Sequence, residues 1–385
     1  MIGMLAAGIA VLAVATLLRP ITPALEFNSG FGFLDGQSYG AMARTFRTGE
    51  RFDILSPYVF RVLPAALVAW SGASYRLGFL VLNVLGYVVA AVALYGLMAH
   101  YAIRSRTALL LVVWWAVLPA GVRLAEYYPV LVDGVGSAFS GALLWAAATG
   151  ISIAFMAVLM LGVLARENLL VLAPLPFLAQ RRAGLVGAAR QATVLALPAV
   201  ATLLWVHRWP PIPAANGFSM FDDVMRNWGW FTQNADARFW RFLAAPPLTL
   251  GMFFAVPLLH PRRSLAFLRE HPEWIYYLAV SLALAPIGGG DFDRFAFLLA
   301  PALVLLTATV ATFDGPRMVL YTLMHLIGVR ALIPVGSGEA SYRAYNVATM
   351  DLATLVQLLV VAVALATVYY AVDRVLRGYI PQYRI

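Results

Sequence analysis

Five short stretches of an otherwise apolar chain carry acids and arginines: FLDGQSYGAMAR (33–44), SPYVFRVLPAAL (56–67), YYPVLVDGVGSAF (127–139), LARENLL (164–170) and GGGDFDRFAFLLAP (288–301). They supply Asp35 with Tyr39 one turn on, then Arg61, then Asp133 with Glu126 one to two turns before it. Further along come Arg166 beside Glu167, and Asp291, Asp293 and Arg294. Ionisable groups at membrane depth are costly and tend to line water-filled functional cavities. A carboxylate there can act as general base towards a hydroxyl nucleophile. Arginines nearby can grip a phosphate bidentately and stabilise it as a leaving group. A base with phosphate-binding arginines on the outer face describes glycosyl transfer from a lipid-linked phosphosugar.

Each feature also has a plainer reading. Asp is a favoured helix N-cap, and both Asp35 and Asp133 precede a glycine and then a helix. Adjacent Arg166 and Glu167 can form an ion pair that marks a helix break. Asp291 and Asp293 form a short metal-like pair, but two carboxylates in a Gly-rich turn are more often solvated. His207, His260 and His271 are too scattered for a metal-ligand spacing, so no metal and no cofactor is expected. The Trp and Tyr residues of the outer loops read as membrane-interface anchors.

The elements that must position these groups follow from composition. The chain has 385 residues, 62% hydrophobic and 12% charged, with a mean hydropathy of +0.81, which takes it out of the range of ordinary soluble domains. Backbone groups in hydrocarbon must be satisfied internally, and the unbroken apolar runs lack the alternation of barrel strands, which leaves helices. Apolar stretches fall at about 1–18, 77–99, 106–121, 134–149, 151–165, 168–179, 188–206, 246–259, 273–287, 294–311, 317–334 and 350–372. The expected fold is an all-α polytopic membrane protein of about twelve transmembrane helices, eleven to thirteen, forming one domain over 1–385. Several runs are shorter than the ~20 residues of a perpendicular span. The first stretch reads as a retained helix and not a cleaved signal.

There is no cysteine, so no thiol chemistry. All 27 basic residues are arginine, which fits a GC-rich bacterial genome. The net charge of +9 is spread among short loops with no continuous basic face, so lipid headgroups and phosphates are expected partners, and nucleic acid is not. With both termini inside, the inner loops hold 12 arginines and four acids, in keeping with the excess of basic residues on the cytoplasmic side. Two long outer loops result, 19–76 and 207–245. In the first, Tyr39, Met42, Ala43 and Phe46 make an apolar stripe opposed by Gln37, Arg44 and Arg47, which predicts an interfacial amphipathic helix. SPYVFRVLPAALVAW is too short and too polar to span, and is expected at the outer leaflet. The Trp- and Phe-rich second loop is expected on the surface as well.

Taken in order, the five stretches resemble the GT-C superfamily of membrane glycosyltransferases, over roughly residues 1–311. The resemblance implies inverting transfer from a polyprenyl-phosphate-linked sugar to a hydroxyl on a glycan or lipid acceptor, at the outer face of a bacterial cytoplasmic membrane, by a protein acting as a monomer. It implies Asp35 as the catalytic base and Asp133 as its partner in catalysis or acceptor binding. Arg61, Arg166 and Arg294 become donor-phosphate contacts, with Glu167 orienting one of them and Tyr39, Glu126, Asp291 and Asp293 in support. Many members carry paired acids in the first loop, whereas Asp35 has no acidic neighbour, and an obligatory metal is therefore not expected. A transporter or flippase for a lipid-linked or small polar substrate is the main rival. No repeated halves are visible to favour it. A polymerase or ligase would need a histidine in a large late outer loop, where only His207 is near, and a noncatalytic scaffold would tolerate loss of Asp35.

Overall fold

The computed structural model describes residues 1–25, 35–50, 54, 58–180, 185–207, 220–233, 235–288 and 292–338, with isolated positions between 353 and 375. Among these residues the chain is helical and contains no strand. The helices are α1 (Ile2–Leu18), α2 (Asp35–Thr48), α3 (Val62–Trp70), α4 (Tyr75–His100), α5 (Ser105–Ala116), α6 (Val122–Tyr127), α7 (Asp133–Thr149), α8 (Ser152–Gly162) and α9 (Leu175–Gln180). They continue with α10 (Leu185–His207), α11 (Met220–Gln233), α12 (Ala235–Leu250), α13 (Met252–Leu259), α14 (Pro261–Glu270), α15 (Pro272–Gly288), α16 (Phe292–Ala296), α17 (Ala300–Val310) and α18 (Gly315–Gly328).

Four helical segments are long and apolar enough to cross a membrane: Ile2–Ile21, Tyr75–His100, Ala189–Val206 and Phe292–Val310. A fifth is made by α12 and α13 if their pair, bent by 97° at Gly251, counts as one span. Helix α4 carries an outward stripe of Leu77, Val81, Leu85 and Val89, each about half exposed, opposite a buried face of Asn83, Gly86, Tyr87 and Ala90. A continuous exposed apolar stripe of this kind suits hydrocarbon and not water. These are the features of a helical membrane protein.

The expected count of twelve rested on apolar runs that the backbone interrupts. The run at 106–121 yields a helix of 12 residues and the run at 151–165 one of 11, while 168–179 begins as a 3-10 turn at Glu167 before α9. Each is too short for a perpendicular crossing. The run at 350–372 lies outside the continuously described residues.

The stripe on α2 also turns out differently. Tyr39, Met42 and Ala43 are fully buried and pack, with Phe46, into the protein core beside α3, so this helix is amphipathic towards protein and not towards lipid. Arg47 at its C-terminal end donates to the carbonyls of Val68 and Ala73 and lies over the Tyr75 ring, tying α2 to the α3–α4 junction. In the second long loop, Phe221, Met225 and Trp228 form an exposed stripe on α11, in line with a surface helix.

What fixes the head of α7 is its contact with α4. A side chain at Gly86 would lie 2.4 Å from the Gly134 backbone, and one at Gly134 would lie 2.2 Å from the Asn83 carbonyl, so only glycines allow this approach. Asn83 fills the junction. Its Nδ2 donates to the carbonyls of Leu131 (2.7 Å), Phe79 (2.9 Å) and Pro129 (3.2 Å), and its Oδ1 accepts from the Gly134 amide (2.9 Å). The extended segment leading to Asp133 is thereby fully hydrogen-bonded within the apolar bundle, as burial requires.

Candidate functional site

Asp35 is the first residue of α2. Its Oδ2 accepts from Arg294 Nη1 at 2.8 Å and its Oδ1 from the Tyr58 hydroxyl at 2.6 Å. The next amide, Gly36, donates to the Tyr128 hydroxyl at 3.0 Å, so the segment ahead of α7 also sets where α2 starts. Arg294 of α16 turns its other edge to Asp133, with Nη2 at 2.9 Å from Oδ2 and Nε at 3.3 Å from Oδ1. Arg166 Nη1 reaches the same Asp133 carboxylate at 3.1 Å. A Cβ at Gly136 would fall 2.4 Å from Arg166 Cδ, so the absence of a side chain there lets the arginine cross α7. Arg61 grips Glu167 with Nε and Nη2, both at 2.7 Å, and donates from Nη1 to the Tyr39 hydroxyl at 2.6 Å. The Tyr39 ring meets Tyr58 edge-on at 5.5 Å, which joins the two halves of the cluster.

Residues separated by up to 259 positions thus form one continuous network: Tyr58, Asp35, Arg294, Asp133 and Arg166 on one side, Tyr39, Arg61 and Glu167 on the other. Arg61, Asp133, Arg166 and Arg294 are all buried. Burial disfavours ionised Asp35, but the Arg294 charge, the hydrogen bonds from Tyr58 and Arg294 and the Arg61 charge outweigh it and hold the carboxyl below its ordinary value. Tyr58 is pushed upward by burial and by the neighbouring Asp35 carboxylate, and Tyr39 is raised to about 12, chiefly by burial. At neutral pH both phenols keep their protons. Arg61, despite burial, is held above its ordinary value by the Glu167 carboxylate.

The plainer readings fare unevenly. Helix α7 has Val132 as its N-cap and no side-chain cap bond, and the Asp133 carboxylate is spent on arginines. Arg166 and Glu167 do not pair with each other; they part to Asp133 and Arg61. Asp291 lies outside the described residues. Asp293 is buried at the head of α16, and among the described residues no cluster of three metal-ligating groups occurs.

Glu126 stands apart from the network. It is buried on α6, where burial raises its carboxyl to about 7 against the opposing charges of Arg19 and Arg123. Tyr58, Asn83 and Tyr128 belong to the site or its frame, and their residue types alone gave no chemical signal in sequence. The signal available was position. Tyr58 lies three residues before Arg61, and Tyr128 five before Asp133.

Beneath the network opens an apolar cleft of about 430 Å³, counting the space at its mouth. Ser137 and Ser140 of α7 line it one and two turns below Asp133, with Phe297 one turn below Arg294, and Tyr277, Leu94 and Trp115 complete the wall. Charged groups at a helix-end level with an apolar recess below them suit an amphiphile whose head is anionic and whose tail is hydrocarbon. Comparison with protein-family models, with curated proteins and with solved structures finds no match to this chain. The class that fold and site define is therefore a helical membrane protein with a buried carboxylate–guanidinium network at the ends of its helices.

Proposed function

We propose that this chain is a GT-C type glycosyltransferase of about twelve transmembrane helices. It moves a sugar from a polyprenyl-phosphate donor to a hydroxyl on a glycan or lipid acceptor, at the outer face of a bacterial cytoplasmic membrane, with both termini inside. The observation that supports it is the meeting of Asp35, Asp133, Arg61, Arg166 and Arg294 in one network above an apolar cleft. In the reaction, the acceptor hydroxyl attacks the anomeric carbon, Asp35 takes the hydroxyl proton, and the bond from that carbon to the phosphate oxygen breaks with inversion. The lipid phosphate leaves with the electron pair, its charge met by guanidinium groups.

Both oxygens of Asp35 are engaged in the network, so a donor phosphate has work to do before transfer. Arg294 is held to Asp133 through two nitrogens and to Asp35 through one. A phosphate arriving beside Arg294 draws that one nitrogen away, and Asp35 Oδ2 becomes available to the acceptor. Donor binding before acceptor follows.

The test is purified protein offered a panel of polyprenyl phosphosugars, read as thermal stabilisation and as transfer to an acceptor. Asp35→Asn should keep donor stabilisation and lose turnover, because the amide keeps the shape but cannot take the proton. Full turnover by Asp35→Asn ends the assignment.

A transporter or flippase is the second reading, and the 97° break between α12 and α13 is the observation in its favour, since broken helices mark many carrier sites. It requires substrate movement across sealed vesicles without chemical change.

A further inference from the structure

Helix α12 begins with a charge arrangement that its own dipole opposes. Its first residue is Ala235, Arg238 lies in the first turn, and Arg241 follows one turn later. Cations at a helix N-terminus are disfavoured by the partial positive charge of the unpaired amides. Arg238 is nevertheless only 9% exposed, its guanidinium lies over the Trp230 ring of α11, and its Nη1 is buried with no hydrogen-bond partner among the described residues. A buried guanidinium with an unmet donor costs far more than a solvated one. It is explained by an anion seated there.

The surroundings say what carries the anion. Trp228, Phe239, Trp240 and Leu243 stand about half exposed around the two arginines, and Arg238–Leu250 is the first limb of the bent apolar pair. Aromatic belts with arginine mark the headgroup level of a bilayer. Arginine is the side chain whose fork matches phosphate oxygens. We infer that Arg238 and Arg241, with the amides at the start of α12, form a binding site for the phosphate of an anionic membrane phospholipid, separate from the Asp35 network. The acyl chains lie along Phe239, Trp240 and Leu243.

The placement gives such a lipid a consequence. One turn beyond Arg238, Phe242 packs edge-on against Phe292 of α16 at 6.1 Å, and Phe231 of α11 packs on both. Phe292 is two residues before Arg294. A lipid that holds the α11–α12 pair in place therefore supports the helix that carries Arg294.

The experiment is native mass spectrometry of the purified full chain from micelles containing equal amounts of phosphatidylglycerol and phosphatidylcholine. The wild type should retain phosphatidylglycerol in preference by about tenfold, as expected for one charged hydrogen bond. The preference should fall to near one in both Arg238→Gln and Arg241→Gln. The second variant serves where the first fails to fold, because Arg241 is less buried. An equal preference in wild type and variants overturns the site. So does displacement of the lipid by millimolar glycerol phosphate, which would make the ligand a soluble phosphate. Neither variant touches the Asp35 network, so donor stabilisation measured in parallel separates failure of this site from failure of the proposed function.

Discussion

Arg294 and Asp35, 259 positions apart in sequence, meet at 2.8 Å, and the same guanidinium holds Asp133 at 2.9 Å. One arginine thus orients two carboxylates that come from the heads of two different helices. Removing it leaves both buried and short of a partner, and breaking a buried pair from one side typically costs about 3–5 kcal/mol. Arg294→Gln should lower stability by about 3 kcal/mol in a denaturation series, and adding Asp133→Asn should restore part of the loss because the two sites share one network. Strict additivity of the two changes would show that the groups act independently.

Two carboxyls should tune stability with pH in opposite directions. Asp35 is held below its ordinary value of 3.8. Its contribution is therefore present above about 3.9, the value in the unfolded chain, and is lost as pH falls through the lower folded value. The melting temperature should drop on acidification below pH ~4, and the drop should shrink in Asp35→Asn. Glu126 is raised from 4.5 to about 7. The folded state binds the extra proton, so the stability is complete below the unfolded value and is lost as pH rises towards 7. Glu126→Gln should flatten that part of the profile and leave the acid limb alone.

Tyr58 supplies the second donor to Asp35. Tyr58→Phe keeps the ring against Tyr39 but removes the hydroxyl, so the Asp35 carboxyl should move up and stability should fall by about 1–2 kcal/mol, the usual worth of a hydrogen bond to a charged group. Carboxyl titration followed by infrared difference spectra, with Asp35→Asn identifying the band, reads the shift. An unmoved band would mean that Arg294 alone sets the value.

The α4–α7 contact sets the position of Asp133 through glycine. Gly86→Ala places a methyl 2.4 Å from the Gly134 backbone, which cannot swing aside as a side chain can. Overpacking of this kind costs about 1–3 kcal/mol. The variant should melt lower and lose affinity for a polyprenyl phosphosugar together. Gly229→Ala, with open space at the same position, is the control and should do neither.

The ionisable members of the network were legible in sequence because a charged group in so apolar a chain needs a reason. Asp35, Asp133, Arg61, Arg166, Arg294, Tyr39 and Glu167 do come together. Who pairs with whom was not legible. Neighbours Arg166 and Glu167 diverge because a 3-10 turn follows Arg166 and sends the two side chains to different helices. Glu126 shares a stretch with Asp133 yet sits beside Arg19 and Arg123. Tyr58 and Asn83 were missed since a tyrosine near a membrane reads as an anchor and an asparagine within an apolar helix carries no pattern. Helicity followed from composition; the number of crossings did not, because hydropathy cannot register the breaks at Gly251 or after Arg166.

The pairing of three carboxylates with three guanidiniums in the network leaves no surplus charge among those six groups. A visiting phosphate therefore tips the pocket negative and must bring a proton or a counter-ion with it. Occupancy becomes coupled to acidity of the medium, and the grip relaxes once the visitor has gone, which suits a chamber that must empty after every cycle.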